Sequence, residues 1–451
     1  MTLPPSLLRE LENPNLSVSR RAELCCEAAK VLEYKGEYEK ARRVLGDYWT
    51  RINERPKLEG LEPSIAAEVL LRAGVLTGWI GGKSQIADVQ ETAKNRISES
   101  LTLFQSQRYP KKIAEAQTEL ALCYWCTGEL NEARDLLNEA LSRLPTDNEV
   151  KAKAVLRTGI IECEAASYAK ALRILTKHAP LFEKTNIATL RGSYHLALGT
   201  VLRHLFEAKP QSDYLDRALI EYAAARYHYE RAQHKPYLAY VENQLGLVYF
   251  TINRCEEAHQ HLDRARRIFA RLGDAGTAAQ VDETRASVFL KQGRIKEAEE
   301  AARAAVRNQE KTGRHALLAE ALITHGRALA RLKRYGAALF AFRRAFDLSE
   351  LTGSSTQVSE AAIATLREIG EHLAAIEEEL VLPGRGLSNV KESIERDVIK
   401  LALEQAHGSV TIAARNLGIS FQALTYMLNT RHKDLLKYRT PARRRQRKHQ
   451  A

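Results

Sequence analysis

The sequence is poor in the residues that interrupt helices or staple small secreted folds. Its 451 residues include only 12 prolines, six cysteines and two methionines, and aromatic side chains make up 7%. Scarce proline beside abundant Ala, Leu, Arg and Glu suits an all-α chain. No run reaches the roughly 18 uncharged apolar residues of a membrane-spanning helix. The nearest, Ile65 to Ile80, is interrupted by Glu68 and Arg72. Met1 to Asn13 holds acids and prolines where a targeting leader would be basic and then apolar, so the expected setting is the cytoplasm, without membrane. Cys25, Cys26, Cys123, Cys126, Cys163 and Cys255 are scattered along the chain. Cys123 and Cys126 have metal-like spacing but no second ligand pair, and read as packed, reduced thiols.

Catalytic signatures are equally scarce. There is no phosphate loop, no Gly-x-Gly-x-x-Gly, no His-Glu-x-x-His and no nucleophile elbow. Glu299-Glu300 and Glu377-Glu378-Glu379 read as solvated helix faces. The expectation is a protein that is not an enzyme and uses no cofactor and no metal.

What the chain does have is self-similarity. The pattern Gly-x-(Tyr/Leu/Ile)-x-x-Ala, with an apolar residue four positions on and a small one three beyond, starts at Gly36, Tyr38, Ala41, Leu45 and Tyr48. It recurs at Gly128 to Ala140, Ala166 to Leu175, Ala218 to Ala225, Asn253 to Ala265, Gly293 to Ala305 and Tyr335 to Ala345, with a degraded copy at Gly82 and Ala87. Ala218, Ala258, Ala298 and Ala338 fall at a strict interval of 40. Positions i, i+4 and i+7 share one helix face, and alanine there lets an antiparallel partner approach closely. Glycine is expected to end the first helix of each pair in a left-handed cap. The upstream helices add Leu120, Ala121 and Tyr124, or Leu245, Gly246 and Tyr249.

This pattern resembles the tetratricopeptide repeat, in about eight copies over roughly residues 20–350, with helices or linkers longer than in the commonest form. The resemblance implies an α-solenoid whose concave side docks a protein or peptide, ahead of a small molecule. Helical register assigns Tyr240, Asn243, Phe250, Glu283, Ser287, Lys291, Arg327 and Arg331 to that groove. Lys291, Arg327 and Arg331 would suit an acidic partner. Tyr124, Trp125 and the many tyrosines read as packing.

After the repeats, residues 357–382 read as a capping or dimerising helix that Pro383 stops. The expected domains are 1–382, a linker 383–390, a small domain 391–437 and a basic tail 438–451. In the small domain, Val398, Ile399, Ala402 and Leu403 have helical spacing and stop at His407-Gly408. Ser409 can cap a short helix carrying Ala413, Ala414 and Leu417. Gly418 turns the chain, and Ser420 can cap a last helix with Leu424 and Leu428 on one face. The run Gly408, Ala413-Ala414, Leu417-Gly418-Ile419-Ser420, Leu424 and Leu428 resembles the Fis-type helix-turn-helix of bacterial activators and nucleoid proteins. That resemblance implies duplex DNA as a partner and a homodimer. The ATPase and receiver domains that accompany such modules in enhancer-binding activators are missing.

By this resemblance Phe421, Gln422, Thr425, Tyr426 and Asn429 face the major groove, where Gln and Asn suit adenine and Phe or Thr a thymine methyl. Ser409, Thr411 and Ser420 would meet phosphates. Family members usually carry Arg or Lys at several of these positions, and this face has none. The missing charge lies downstream: residues 431–451 hold nine Lys/Arg against Asp434, a net +8 of the chain's +12. Arg431, Lys433 and Arg443, Arg444 and Arg445 are therefore expected to hold the DNA backbone. About five such contacts would give log affinity a salt slope of roughly −4 to −5. The sequence thus reads as a DNA-binding transcriptional regulator with a ligand- or partner-binding array. The alternative is an interaction scaffold whose helix-turn-helix is a relic or dimerisation unit.

Overall fold

The computed structural model describes residues 3–84, 88–210, 212–312 and 315–352, and in the C-terminal part residues 370, 392, 395–396, 398–400, 402–404, 406, 408–417 and 419–438. The expected capping helix, the linker, Gly418 and Arg443 to Arg445 lie outside these residues, apart from Gly370. The described residues are helical and contain no strand. They fall into two compact units, Met1–Val288 and Phe289–Ala451.

In the first unit, α1 (Pro5–Leu11) precedes six helical hairpins and the first helix of another pair. The hairpins are α2 (Val18–Glu33) with α3 (Tyr38–Val44), α4 (Pro63–Ser84) with α5 (Val89–Ser106), and α6 (Pro110–Cys126) with α7 (Leu130–Ser142). Then come α8 (Glu149–Glu164) with α9 (Tyr168–Lys177), the short α10 (Ala179–Lys184), and α11 (Ala188–Ala208) with α12 (Ser212–Ala232). The pair α13 (Lys235–Thr251) with α14 (Cys255–Arg271) follows. Helix α15 (Ala275–Lys291) crosses the boundary between the units and is paired in sequence with α16 (Ile295–Gln309); α17 (His315–Arg331) packs on α18 (Tyr335–Thr352). The array is thus all-α and solenoidal. Its extra length lies in the helices: α13, α14, α15 and α17 each have 17 residues, while the α13–α14 turn spans only 252–254.

The repeat residues make the hairpins. Ala41, Leu45, Ala133, Leu137, Ala171, Leu175, Ala218, Ala225, Ala258, Leu262, Ala298, Ala305, Ala338 and Ala345 are all completely buried. Several pairs close by setting a small residue on the first helix against a large one on the second. Gly246 faces Leu262 and Gly326 faces Phe342, and a Cβ on Gly326 would lie 2.1 Å from the Phe342 ring. Helix axes can approach closely only where one side offers no bulk. The left-handed caps depart from expectation. Gly36, Gly128 and Gly293 take positive φ as expected, but Ala166, Asn253 and Lys333 hold the same place with φ of 55°, 65° and 60°. The turn geometry is retained where glycine is not, at a local steric cost.

Helix α4 carries the most apolar stretch. Pro63–Gly81 is long and apolar enough to cross a membrane by length and composition, with 72% of its window buried inside the protein. Its two charges are used internally: Arg72 is fully buried and pairs with Glu33 at 2.8 Å, Glu68 at 3.2 Å and Glu115 at 3.0 Å.

Two substitutions test the hairpin rule. Gly326→Ala should lower stability by about 1–3 kcal/mol through overpacking against Phe342, and Phe342→Leu in the same chain should restore part of it. Lys333→Gly should raise stability by about 0.5 kcal/mol, the relief of left-handed strain less glycine's entropy in the unfolded chain. Thermal unfolding followed by circular dichroism reads both; a neutral Gly326→Ala would refute the close-approach argument.

Candidate functional site

Two places in the structure have the build of a site. The first is the C-terminal helix-turn-helix. Gly408 turns the chain with φ of 80°. Ser409 caps the supporting helix Val410–Asn416 by accepting the Ile412 amide, and Ser420 caps the recognition helix Phe421–Thr430 by accepting the Ala423 amide at 3.1 Å. Ile399, Leu403, Ala413, Ala414, Leu424, Leu428 and Leu435 form its core, so the Ala-Ala pair sits where the helices cross. Arg396 pairs with Asp434 at 2.7 Å and Arg431 with Glu395 at 3.4 Å, joining residues about 36 positions apart.

Burial of Leu424 and Leu428 leaves the opposite side of the recognition helix in solvent. Phe421 is 45% and Tyr426 63% exposed, and Gln422 and Asn429 are exposed beside them. Thr425 departs from the expected face: it is half-buried, and its Oγ1 is enclosed without a hydrogen-bond partner. Thr411 and Ser420 are exposed and Ser409 half-buried. Arg431 and Lys433 are exposed at the end of this helix. The sequence reading passed over Arg415, exposed on the supporting helix; Lys437, one of the nine basic residues of 431–451, has its ammonium 5.2 Å from the Tyr438 ring. Arg415 stands alone in the sequence and gave no pattern to notice.

The second place is a cavity of about 570 Å³ in the first unit. The solenoid makes it by curling until early hairpins meet later ones. Gly36, in the α2–α3 turn, lies against the imidazole of His234, where a Cβ would come within 2.8 Å. Tyr38 stacks on Trp79 at 5.2 Å, Trp79 meets the edge of Tyr237 at 6.4 Å, and Lys30 pairs with Glu149 at 2.7 Å. The space, half open to the surface, is lined by Tyr34, Tyr38, Trp79, Trp125, Tyr229, Tyr237 and Tyr240 among aliphatic residues, with Cys123, Cys126 and Cys163 on its wall.

Charge enters this wall on one side. Glu119, 1% exposed, accepts Lys153 at 2.6 Å and Arg157 at 2.7 Å. Burial alone would raise its carboxyl, but Arg157 and Lys153 outweigh burial and draw it down to about 2. Glu33 goes the other way: burial pushes its carboxyl up against the pull of Arg72. Burial also lowers His234 to about 4, lifts the Cys123 thiol to about 12 and lifts Cys163 to about 11, so all three favour their neutral forms near neutral pH. All six cysteines are unpaired thiols, Cys123 buried and Cys126 exposed.

The groove residues chosen by register are mostly elsewhere. Tyr240 lines the cavity. Asn243 is half-buried one turn on, with Oδ1 enclosed and unbonded. Phe250 packs against the α13–α14 core, and Ser287 donates to Glu283 at 3.3 Å on α15. Lys291, Arg327 and Arg331 belong to the second unit. Tyr124 is packing as expected, under Lys94 at 4.6 Å, but Trp125 is cavity wall. Register alone identifies a concave face; it does not say where that face closes.

Comparison with known proteins agrees with both halves of this geometry. Residues 277–350 match the tetratricopeptide repeat, and residues 392–429 match the bacterial regulatory proteins of the Fis family. The chain carries tetratricopeptide repeats and a Fis-family helix-turn-helix. Its fold is similar to that of a Rap protein solved in complex with competence and sporulation factor, at 13% identity over 93% of this chain and 100% of that one, with a TM-score of 0.54. It is also similar to the apo form of the quorum sensor NprR from B. thuringiensis, at 13% identity over 76% and 91% of the two chains, with a TM-score of 0.50. No curated protein matches the chain. These tetratricopeptide repeats support a protein-interaction array, and the Fis-family module supports a DNA-binding regulator.

The cavity wall predicts an acid response. Because Glu119 is depressed in the folded state, its stabilisation is present above the ordinary carboxylate range near 4.5 and is lost as pH falls toward about 2. Glu33 has the opposite sign and partly offsets the loss. Stability measured by urea unfolding between pH 6 and 3 should fall, and Glu119→Gln should flatten that fall; an unchanged slope in the variant would contradict the assignment.

Proposed function

We propose that this protein is a sequence-specific transcriptional regulator that binds duplex DNA as a homodimer through its Fis-family module and takes a ligand in its repeat array. The observation that carries the reading is the recognition helix: Leu424 and Leu428 anchor one side, and Phe421, Gln422, Tyr426 and Asn429 stand in solvent on the other. Gln422 and Asn429 have the bidentate amides that read adenine, and Phe421 the apolar edge that meets a thymine methyl. Thr425, with its hydroxyl enclosed, contributes through its methyl or through the helix it steadies. Thr411 and Ser420 lie where hydroxyls meet phosphates. Arg415, Arg431 and Lys433, with Arg443 to Arg445 downstream, supply the charge that this face lacks.

The array is read as the input. The related Rap fold holds competence and sporulation factor, and NprR is named a quorum sensor. By that likeness the repeats of this chain receive a signal and the Fis module delivers it, without catalysis, in the cytoplasm. An uncharged recognition face also suits a scaffold whose helix-turn-helix does not read DNA, and the same experiment separates the two.

Full-length protein should enrich a palindromic motif from random duplex DNA at near-physiological salt. Gln422→Ala should blur base preference within that motif while retaining affinity for bulk DNA. Replacing Arg443, Arg444 and Arg445 by alanine should weaken binding to every sequence and make the salt slope shallower by about 2 to 3, one phosphate contact each. Absence of an enriched motif, or equal losses on all sequences from both changes, would overturn the reading in favour of the scaffold.

A further inference from the structure

We propose that the half-open cavity of the first unit binds an uncharged, largely apolar small molecule whose carbonyl oxygen accepts hydrogen bonds from the hydroxyls of Tyr38 and Tyr237. This names the ligand class of the array and so rests on the regulator reading for its purpose, though not for its chemistry.

Three observations carry it. The first is shape. The space of about 570 Å³ is within the usual range of small-molecule sites, and its open side gives a ligand a way in. Trp79, Trp125, Leu156 and Ile160 supply apolar wall for the body of such a molecule. The second is charge. The buried ionic groups of the wall are already answered: Glu119 accepts Lys153 on one oxygen and Arg157 on the other, and Glu33 accepts Arg72. Burial keeps His234 neutral. A charged ligand would therefore give up its hydration for no free counter-charge inside. Glu164, exposed on the lining, repels an anion and offers a cation only a solvated partner.

The third is a pair of donors without acceptors. Tyr38 and Tyr237 line the cavity, and their hydroxyls make no hydrogen bond among the described residues. Neither oxygen is sealed away: the enclosed, unpartnered polar atoms of the protein include Glu33 Oε1 but not these two. Tyr229 on the same wall is already bonded to Ser193 at 2.8 Å. Burial pushes the Tyr237 hydroxyl up to about 12 and that of Tyr38 well above its ordinary value, so both keep their protons. The two phenols lie close enough to feel one another, and Arg157 lies close enough to Tyr237 to favour negative charge on its oxygen, which strengthens that O–H as a donor. A carbonyl oxygen is what such a pair lacks, since it has two lone pairs and no charge.

Prodan, an uncharged dimethylaminonaphthalene bearing a propanoyl ketone, tests this on the full-length protein. Two relatives on the same ring carry propyl or carboxylate in place of the propanoyl group, and their affinities are read by displacement of Prodan. Prodan should bind at least about threefold more tightly than the propyl compound, the scale of one neutral hydrogen bond, and the carboxylate should bind weakest. Apolar transfer alone favours the propyl compound, so a preference for the ketone reports hydrogen bonding. Tyr38→Phe combined with Tyr237→Phe removes two unpartnered hydroxyls and keeps both rings. That variant should lose the ketone preference, shift the emission of bound Prodan to the blue, and bind the propyl compound as tightly as before, which also reports that it has folded. Trp125→Ala should weaken both neutral compounds, placing them in this cavity. A wild-type preference for the propyl or carboxylate compound, or a ketone preference that survives in the double variant, overturns the proposal. Failure of Prodan to bind a protein that still enriches a DNA motif sinks the cavity proposal alone. A ketone-selective cavity in a protein without DNA preference sinks the regulator reading alone.

Discussion

Everything in the repeat array depends on one steric constraint, that two long helices meet closely only where one presents almost nothing. Gly246 against Leu262 and Gly326 against Phe342 are two instances, and the buried alanines at each repeat extend the rule along the stack. Close approach fixes the angle and depth of each hairpin. Those small rotations, added along the first unit, bring Gly36 onto His234 and so create an interior that no single repeat contains. Stability in such a stack is a sum of neighbour interfaces. The contact of early hairpins with later ones adds a long-range term that an open solenoid lacks.

That interior explains where the unusual electrostatics lie. Arg72, Glu33, Glu115 and Glu119 are charged groups taken out of water on the inner helices of the first three hairpins. Buried ion pairs seldom add net stability over apolar packing. Of these, Glu33 and Glu119 belong to the lining of the ring-walled cavity. In the helix-turn-helix the order is reversed: apart from His432, the described buried residues are apolar, and polar residues stand outward.

Much of this was legible in the sequence because it is local and periodic. The alanines at 40-residue spacing, the Ser caps at Ser409 and Ser420, and the Ala413-Ala414 crossing each need only a helix period and a turn to be recognised, and each occupies the expected place. The glycine rule for the left-handed caps was too strict, since Ala166, Asn253 and Lys333 adopt the same turn when the rest of the hairpin compels it. The groove is a different matter. Helical register says which side of a helix faces inward, but not that Phe250 packs against the α13–α14 core while Trp125 lines a cavity.

The sequence by itself therefore determined the fold class, the repeat, the Fis-family module and, Thr425 apart, the outward residues of its last helix. All of these follow from which side chains recur at helical spacing. Only the tertiary structure decided that early hairpins meet later ones and that the tyrosines and tryptophans of distant repeats share one cavity. Those facts depend on the accumulated rotation between hairpins, and a sequence period carries no record of how far a stack of helices turns before it meets itself.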